Sequence, residues 1–304
     1  MIRRQSIISG KLLEINFYPV FCDGRRYPTR APKTKVSTEQ QARYNRIKAQ
    51  KKLIRLVNAN FSSADLFIHI TYKPACAPLD EKEARRDIVN YIRRVKRLRQ
   101  KRVREFYDNK ESNNDNLNFK NMGGLCQNEE IAALLSPLKY IYVIEKQVYK
   151  RGQRAGFANF HFHMFISGGL KRDEMEALWV KGVMVNARRF RPDVFGPQAA
   201  AKYVCKEPLG SKSFVCSKGL SKPQVLKPVD GAISRCVLER IAKFRVDDAE
   251  FWQAQNAGYR FINCLSRFNE YNGHWYVSVV MYRYPDTKDM QNFVFDTAWD
   301  EILW

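Results

Sequence analysis

Two histidines stand one residue apart in an apolar run near the middle of the chain, Phe160-His161-Phe162-His163-Met164. Side chains alternate between the two faces of a strand, so His161 and His163 share one face while the apolar residues take the other. The chain has only 4 histidines, and burying an imidazole without a partner costs free energy. The pair therefore predicts a metal site, because each neutral imidazole offers a ligand nitrogen.

A carboxylate precedes the histidine pair on what reads as a neighbouring strand. The segment from Leu138 to Ile144 is rich in β-branched and aromatic residues and ends at Glu145. A loop at 150–156 with two glycines predicts a hairpin that returns as the histidine strand. If the register allows it, Glu145 lies on the same face as the histidines. Two imidazoles and one carboxylate leave open positions on a divalent cation, which then acts as a Lewis acid on phosphoryl oxygens.

A candidate nucleophile lies on a short predicted helix that begins near Pro197 and ends at Pro208. Tyr203 and Lys206 are three residues apart there, so both lie on one side of the helix. A phenol titrates near 10 and is a weak nucleophile at neutral pH without help. A nearby ammonium favours the phenolate or neutralises charge that builds on a phosphate. Attack on a phosphate would give a phosphotyrosine ester, which conserves the energy of the broken bond for rejoining.

In this order, the residues resemble the HUH endonucleases, specifically the rolling-circle replication initiator (Rep) proteins of plasmids, phages and related mobile elements. The resemblance covers roughly residues 61–210. It rests on three runs, His161-Phe162-His163, Tyr203-Val204-Cys205-Lys206 and the less specific His69-Ile70-Thr71-Tyr72. Many relatives also place an acidic or amide ligand on the strand before the histidines, where this chain has Glu145.

The resemblance implies a sequence-specific enzyme that nicks and rejoins one DNA strand through a 5′-phosphotyrosine intermediate. Tyr203 and Lys206 would be its catalytic residues, and His161, His163 and Glu145 would hold Mg²⁺ or Mn²⁺. The substrate would be single-stranded or hairpin origin DNA, and a host helicase and polymerase would be partners in replication.

Two positions leave the ligand set open. His69 stands where the family motif leads us to expect a threonine, and it is a fourth ligand, a DNA contact or a packing residue. Gln147 shares a strand face with Glu145 and is the alternative to it. Tyr203 also competes with a plainer interpretation as one packed aromatic among 15 tyrosines.

The charge balance favours a polyanionic partner. The chain carries 53 Lys and Arg against 31 Asp and Glu, a formal net charge of +22, and nucleic acid is the commonest cytoplasmic polyanion. Predicted helices at about 38–60 and 80–104 are rich in Lys and Arg and would hold phosphates. A generally basic surface is the plainer alternative, since charge says nothing about chemistry.

The order of predicted elements indicates an α+β fold with a central antiparallel sheet and helices packed on it. We predict three parts. Residues 1–60 form a strand and a basic helix packed on the catalytic domain, 61–210 form the nicking domain, and 211–304 form a smaller helical and β-hairpin extension. Asn272-Gly273 is the hairpin turn of that extension, whose role in origin recognition or oligomer contacts is left open.

Composition also bears on location. No apolar stretch approaches the length of a bilayer span, and no signal peptide is recognisable. We therefore expect no membrane partner, a cytoplasmic location and reduced thiols for the 7 cysteines. The sequence leaves two alternative functions open, a related HUH relaxase or transposase, and a non-enzymatic basic nucleic-acid-binding regulator.

Overall fold

The structure is a computed structural model that describes residues 1–21, 38–112, 129–148, 158–182, 185–189 and 214–283. Two antiparallel sheets with helices packed on them make up the described fold, which confirms the predicted α+β class. The described residues fall into two compact units. We call residues before Asn60 and after Leu220 the terminal unit, and those from Asn60 to Leu220 the central unit.

The sheet of the terminal unit joins the two ends of the chain. Its strands are β1 (Ile2–Ser9), β2 (Leu12–Pro19), β8 (Gln224–Val225), β9 (Val229–Asp230), β10 (Tyr259–Asn269) and β11 (His274–Arg283). They follow the order β10-β11-β2-β1-β8, and β9 pairs with β1 beside β8. The predicted hairpin at Asn272-Gly273 is confirmed, because β10 and β11 pair along their length and Gly273 has a φ of 62°.

Pairing between β2 and β11 joins the N-terminal hairpin to the C-terminal extension, a contact that the sequence analysis did not predict. Ile15 lies opposite Val279, and Phe17 lies opposite Val277. Both strands alternate apolar and polar side chains, and the apolar side chains meet on one face. That face packs against α5 (Arg235–Phe244) and α6 (Ala249–Gln255) in a single apolar cluster. The N-terminal hairpin is therefore part of the same core as the C-terminal extension.

The C-terminal half of helix α1 (Glu39–Asn60) contacts the N-terminal hairpin. The guanidinium of Arg55 donates to the Glu14 carboxylate of β2 at 3.0 Å. Gly10, in the turn between β1 and β2, has a φ of 58°, and a Cβ there would lie 2.1 Å from the carbonyl oxygen of Asn58. Glycine is required at this turn for both reasons.

The sheet of the central unit has the order β6-β3-β5-β4-β7, and neighbouring strands are antiparallel. The bounds are β3 (Leu66–Thr71), β4 (Tyr140–Val148), β5 (Ala158–Ile166), β6 (Val185–Arg189) and β7 (Val215–Cys216). Two short helices flank it, α3 (Glu129–Leu135) and α4 (Arg172–Ala177). β5, the predicted histidine strand, lies at the centre between β3 and β4.

The long helix α2 (Glu81–Ser112) covers one face of this sheet. Asp80 caps its N-terminus, because its carboxylate accepts from the backbone N–H of Glu83 at 2.7 Å. Buried apolar residues recur along one stripe of the helix and pack against the inner face of the sheet: Ala84, Ile88, Tyr91, Ile92 and Val95. Among the helices in the described ranges, none combines the length and apolar character needed to cross a bilayer.

Candidate metal centre

The central strand β5 separates the two sets of side chains that its sequence alternates. Phe160, Phe162 and Met164 enter the core beneath α2. His161 and His163 therefore project from the opposite face, which we call the histidine face. Only 5% of His161 and 2% of His163 is exposed to solvent, so both imidazoles are buried despite lying outside the main core.

Glu145 lies on the histidine face, next to both rings. In the register of β4 and β5, Glu145 is directly opposite His161. Its Oε2 is 3.1 Å from Nε2 of His163. Because a carboxylate only accepts, this hydrogen bond places the proton of neutral His163 on Nε2. The structure thus brings together the three residues that the sequence suggested as metal ligands.

His69 is the third imidazole of the cluster. It lies directly opposite His163 across β3 and β5, and the two rings are parallel within 2° with centroids 4.6 Å apart. The centroid of His161 is 5.8 Å from that of His69. The cluster therefore gathers three of the 4 histidines in the chain, drawn from strands about 90 residues apart in sequence.

Burial keeps these imidazoles neutral. Loss of solvent lowers the pKa of His161, against an opposing effect from Glu145. Burial also lowers the pKa of His163, and the neighbouring His69 lowers it further. The same desolvation lowers the pKa of His69. Neutral imidazole is the form that ligates a metal.

The ring nitrogens of His161 indicate whether a cation would fit in this cluster. Within the described part of the chain, neither of its ring nitrogens has a hydrogen-bond partner, although both are buried. Buried polar atoms nearly always have a partner, so this imidazole calls for one. Two nitrogen donors and a carboxylate also suit a divalent cation. The donor types therefore fit a metal.

The described side chains of the histidine face are not arranged to coordinate a metal ion in this structure. Among the residues described, no group of three or more His, Cys, Asp or Glu side chains is placed to hold a metal ion. The hydrogen bond between Glu145 and His163 occupies atoms that would serve as ligands. Metal binding would thus require this bond to exchange for coordination by rotation of the side chains.

The other residues of the histidine face are polar at one end of the cluster and aromatic at the other. Thr71 lies opposite His161 across β3 and β5, and Asn186 of β6 lies opposite His69. At the other end, Phe67 stacks within 11° of the His163 ring at a centroid distance of 6.2 Å and also contacts Phe165. The polar neighbours of the cluster therefore lie at its Glu145 and Thr71 end, and the aromatic neighbours lie at its Phe67 end.

The backbone of Thr71 is fixed from the core side. The indole N–H of Trp179 donates to the Thr71 carbonyl at 2.9 Å. Tyr72, the next residue, donates its hydroxyl to Asp87 of α2 at 3.1 Å, and Lys181 forms an ion pair with the same carboxylate. These contacts anchor the C-terminal end of β3, two residues beyond His69.

The predicted nucleophile and its cation, Tyr203 and Lys206, lie outside the described residues. The side chain of Gln147 does so as well, although its backbone belongs to β4, opposite Asn159. The structure therefore describes the surroundings of His161, His163 and Glu145, while the metal that they would bind and the roles of Tyr203 and Lys206 stay predictions.

A row of arginines lies on α2, away from the histidine face. Arg86, Arg93, Arg97 and Arg104 are exposed and are spaced by 7, 4 and 7 residues, which places them on one side of a helix with 3.6 residues per turn. That side is opposite the buried stripe of α2, and α2 in turn covers the core face of the sheet. The arginine row and the histidines thus lie on opposite sides of the sheet.

Comparisons of the chain with protein-family models, with curated proteins and with solved structures gave no match.

Proposed function

We propose that this chain is a metal-dependent DNA-nicking and -joining enzyme of the HUH type that initiates rolling-circle replication. The observation that carries the proposal is the cluster of His69, His161, His163 and Glu145 on one sheet face, with His161 buried and both of its ring nitrogens without a hydrogen-bond partner in the described chain. Most buried histidines in protein cores have such a partner. The motif order in the sequence supplies the rest of the argument.

In this proposal His161, His163 and Glu145 hold Mg²⁺ or Mn²⁺, and His69 is the nearest additional donor. The cation supplies charge stabilisation at a phosphoryl oxygen of the DNA. Burial supports the role of the protein residues, because it keeps the imidazoles deprotonated and ready to ligate.

Tyr203 would perform the covalent step. Its phenolic oxygen forms a bond to phosphorus, the bond from phosphorus to the 3′ oxygen breaks, and the proton lost by the phenol is balanced by one gained at the 3′ oxygen. Lys206 would neutralise charge that develops on the phosphate. The products are a 5′-phosphotyrosine and a free 3′ hydroxyl, which a host polymerase, assisted by a host helicase, would extend in the cytoplasm.

The test uses a random-sequence library of single-stranded DNA labelled at the 3′ end. With Mn²⁺, the wild-type chain should form a labelled adduct that survives denaturing gel electrophoresis, and EDTA should abolish it. Tyr203→Phe removes only the attacking oxygen, so it should lose the adduct while binding the library as before. Tyr140→Phe, a tyrosine of β4, is the matched control and should retain the adduct. An adduct that persists in Tyr203→Phe would assign the nucleophile elsewhere.

A non-enzymatic nucleic-acid-binding role is the second candidate, and the arginine row of α2 favours it. The row provides a phosphate-binding surface that does not need the histidine face. Absence of any Mn²⁺-dependent adduct in the library experiment, together with retained DNA binding, would favour this role over nicking.

A further inference from the structure

A cavity in the terminal unit combines an apolar wall with guanidinium groups. Its volume is about 380 Å³, within the usual range for small-ligand pockets. The apolar wall comes from β2, from both helices and from the turn before α5: Phe17, Ile233, Val237, Ile241, Phe251 and Trp252. Arg4, Arg240 and Arg245 also line it, and among the residues that the structure describes no Asp or Glu does.

Strand pairing and helix packing place these groups around one space. Arg4 of β1 lies directly opposite Phe17 of β2, so both project toward α5 and α6. The ring centroids of Phe17 and Trp252 are 6.3 Å apart, and those of Phe251 and Trp252 are 4.9 Å apart. The indole N–H of Trp252 is already satisfied, because it donates to the carbonyl of Arg245 at 2.9 Å. The indole therefore presents apolar ring surface.

Two of the three guanidinium groups have no carboxylate partner in the described chain. Arg245 forms an ion pair with Asp248 and lies over the Phe251 ring. Among the residues described, Arg4 donates to the amide oxygen of Asn256 at 3.4 Å and to no carboxylate, and its buried Nε has no hydrogen-bond acceptor there. Arg240 is exposed at the cavity edge. A buried guanidinium N–H without an acceptor is costly, and an anion in the cavity would remove that cost.

We infer that this cavity binds a nucleotide, with the phosphate on Arg4 and Arg240 and the base against the apolar wall. The buried Arg4 guanidinium, with exposed Arg240 beside the cavity, favours an anion, and the aromatic rings favour a flat apolar moiety. The Gln255 amide in the lining adds a donor and an acceptor for a base edge. The nucleotide is either free or one unit of a DNA strand. The inference does not depend on nicking.

The experiment measures binding of dTMP to the full-length chain by calorimetry, with EDTA present so that no divalent metal contributes. We expect dTMP to bind at least about tenfold more tightly than thymidine or inorganic phosphate, because the cavity offers contacts to both halves of the ligand. Arg240→Gln should weaken dTMP binding at least about fivefold. Lys243→Gln, on the same helix but outside the cavity lining, removes the same charge and should change it less than about twofold.

Equal effects of Arg240→Gln and Lys243→Gln would overturn the inference. So would any of three other results: inorganic phosphate that binds as tightly as dTMP, octanoate (an apolar anion without a base) that binds more tightly than dTMP, or dTMP that does not bind. Val237→Trp, which fills the cavity from an exposed helix position, provides a second variant and should abolish binding. A labelled dT₁₀ strand identifies the source of the ligand. If dTMP displaces the labelled strand and Arg240→Gln weakens binding of the strand, the cavity binds a nucleotide within a DNA strand. If dTMP binds but neither effect on the strand is seen, the cavity binds the free nucleotide.

Discussion

At the scale of single residues, His161 carries most of the argument for a metal. Replacing it by alanine should lower the affinity for Mn²⁺ about tenfold or more, because the loss of a ligand costs at least as much as the loss of a residue that orients one. Isothermal calorimetry with MnCl₂ measures this directly. His274→Ala, which changes a histidine of the terminal unit, is the matched control and should bind Mn²⁺ as the wild type does. Unchanged binding in His161→Ala would refute the metal centre.

The site residues differ in how far the sequence could predict them. The alternation of Phe160 to Met164 sufficed to place His161 and His163 on one face, because strand periodicity is local. The place of His69 depended on which residue of β3 lies opposite His163, and that register is set by long-range packing that no local pattern contains. The sequence therefore left His69 open among three roles.

The thiol of Cys264 provides an independent check on the core of the terminal unit. Burial raises its pKa to about 12, so almost none of it is thiolate at pH 8. Cys236 of α5 is exposed in the same unit. Iodoacetamide at pH 8 should therefore modify Cys236 well before Cys264, as followed by mass spectrometry, and urea should abolish the difference. Equal rates in the native protein would mean that β10 is not packed as described.

At the scale of elements, α3 depends on an arginine of α2. Arg99 is 7% exposed, and its Nη2 donates to the carbonyls of Ala133 and Leu134 at 3.1 and 2.6 Å. These are carbonyls at the C-terminal end of α3, which have no partner within the helix. Arg99→Met keeps the aliphatic packing and removes the donors, so the free energy of unfolding should fall by about 1–3 kcal/mol.

Urea unfolding monitored by circular dichroism measures this loss. Arg97→Met, two residues away on the exposed side of α2, removes the same charge and should change the free energy of unfolding by less than about 0.5 kcal/mol. Similar losses in both variants would mean that Arg99 contributes charge alone and does not cap α3.

The arginine row on α2 makes a prediction about duplex DNA. Arg86 and Arg104 are 18 residues apart, or roughly 27 Å along the helix axis. Duplex DNA is stiff over that length. A straight row of cations can therefore bind its phosphates without an entropic cost for ordering the DNA. Substituting Arg93, Arg97 and Arg104 together by Gln should weaken binding to a 20-base-pair duplex and reduce the slope of log K against log salt by about 2–3.

A filter-binding titration over salt concentration measures that slope. The control triple, Lys218, Lys222 and Lys227 to Gln, removes the same charge from another exposed segment and should leave the slope within about one of the wild type. Mn²⁺ affinity should not change in the α2 triple, because the row lies on the opposite side of the sheet from the histidines. An unchanged slope would show that the row does not touch DNA phosphates.

The element scale also shows what a charge pattern can and cannot predict. Sequence alone indicated a basic helix after Asp80, and its cap and periodicity are local. Whether its arginines would face the histidines depended on which sheet face α2 covers. Ile68, Ile70 and Phe162 form the apolar face that α2 buries, which directs the arginine row away from the candidate site.

At the scale of the whole molecule, the pairing of N-terminal strand β2 with C-terminal strand β11 could not be predicted from the sequence. β2 and β11 are each recognisable as strands, but the contact between Phe17 and Val277 joins residues about 260 positions apart. No local signal specifies which strands pair over such a distance, since the free energy comes from the shared core formed with α5 and α6. The predicted boundaries near 60 and 210 separated segments that lie in one sheet.

The shared sheet predicts how the chain responds to loss of its N-terminus. Deleting residues 2–19 removes β1 and β2, so β11 keeps only β10 as a neighbour and Val277, Val279 and Met281 lose the apolar side chains beside them. Amide protons of β10 and β11 should then exchange at least about tenfold faster in hydrogen-exchange mass spectrometry, because a two-stranded hairpin alone is only marginally stable. Amides of β3 and β5 in the central unit are the internal control and should keep their protection. If instead β3 and β5 lose protection while β10 and β11 keep it, the N-terminal segment would belong with the central unit, as the sequence had led us to expect.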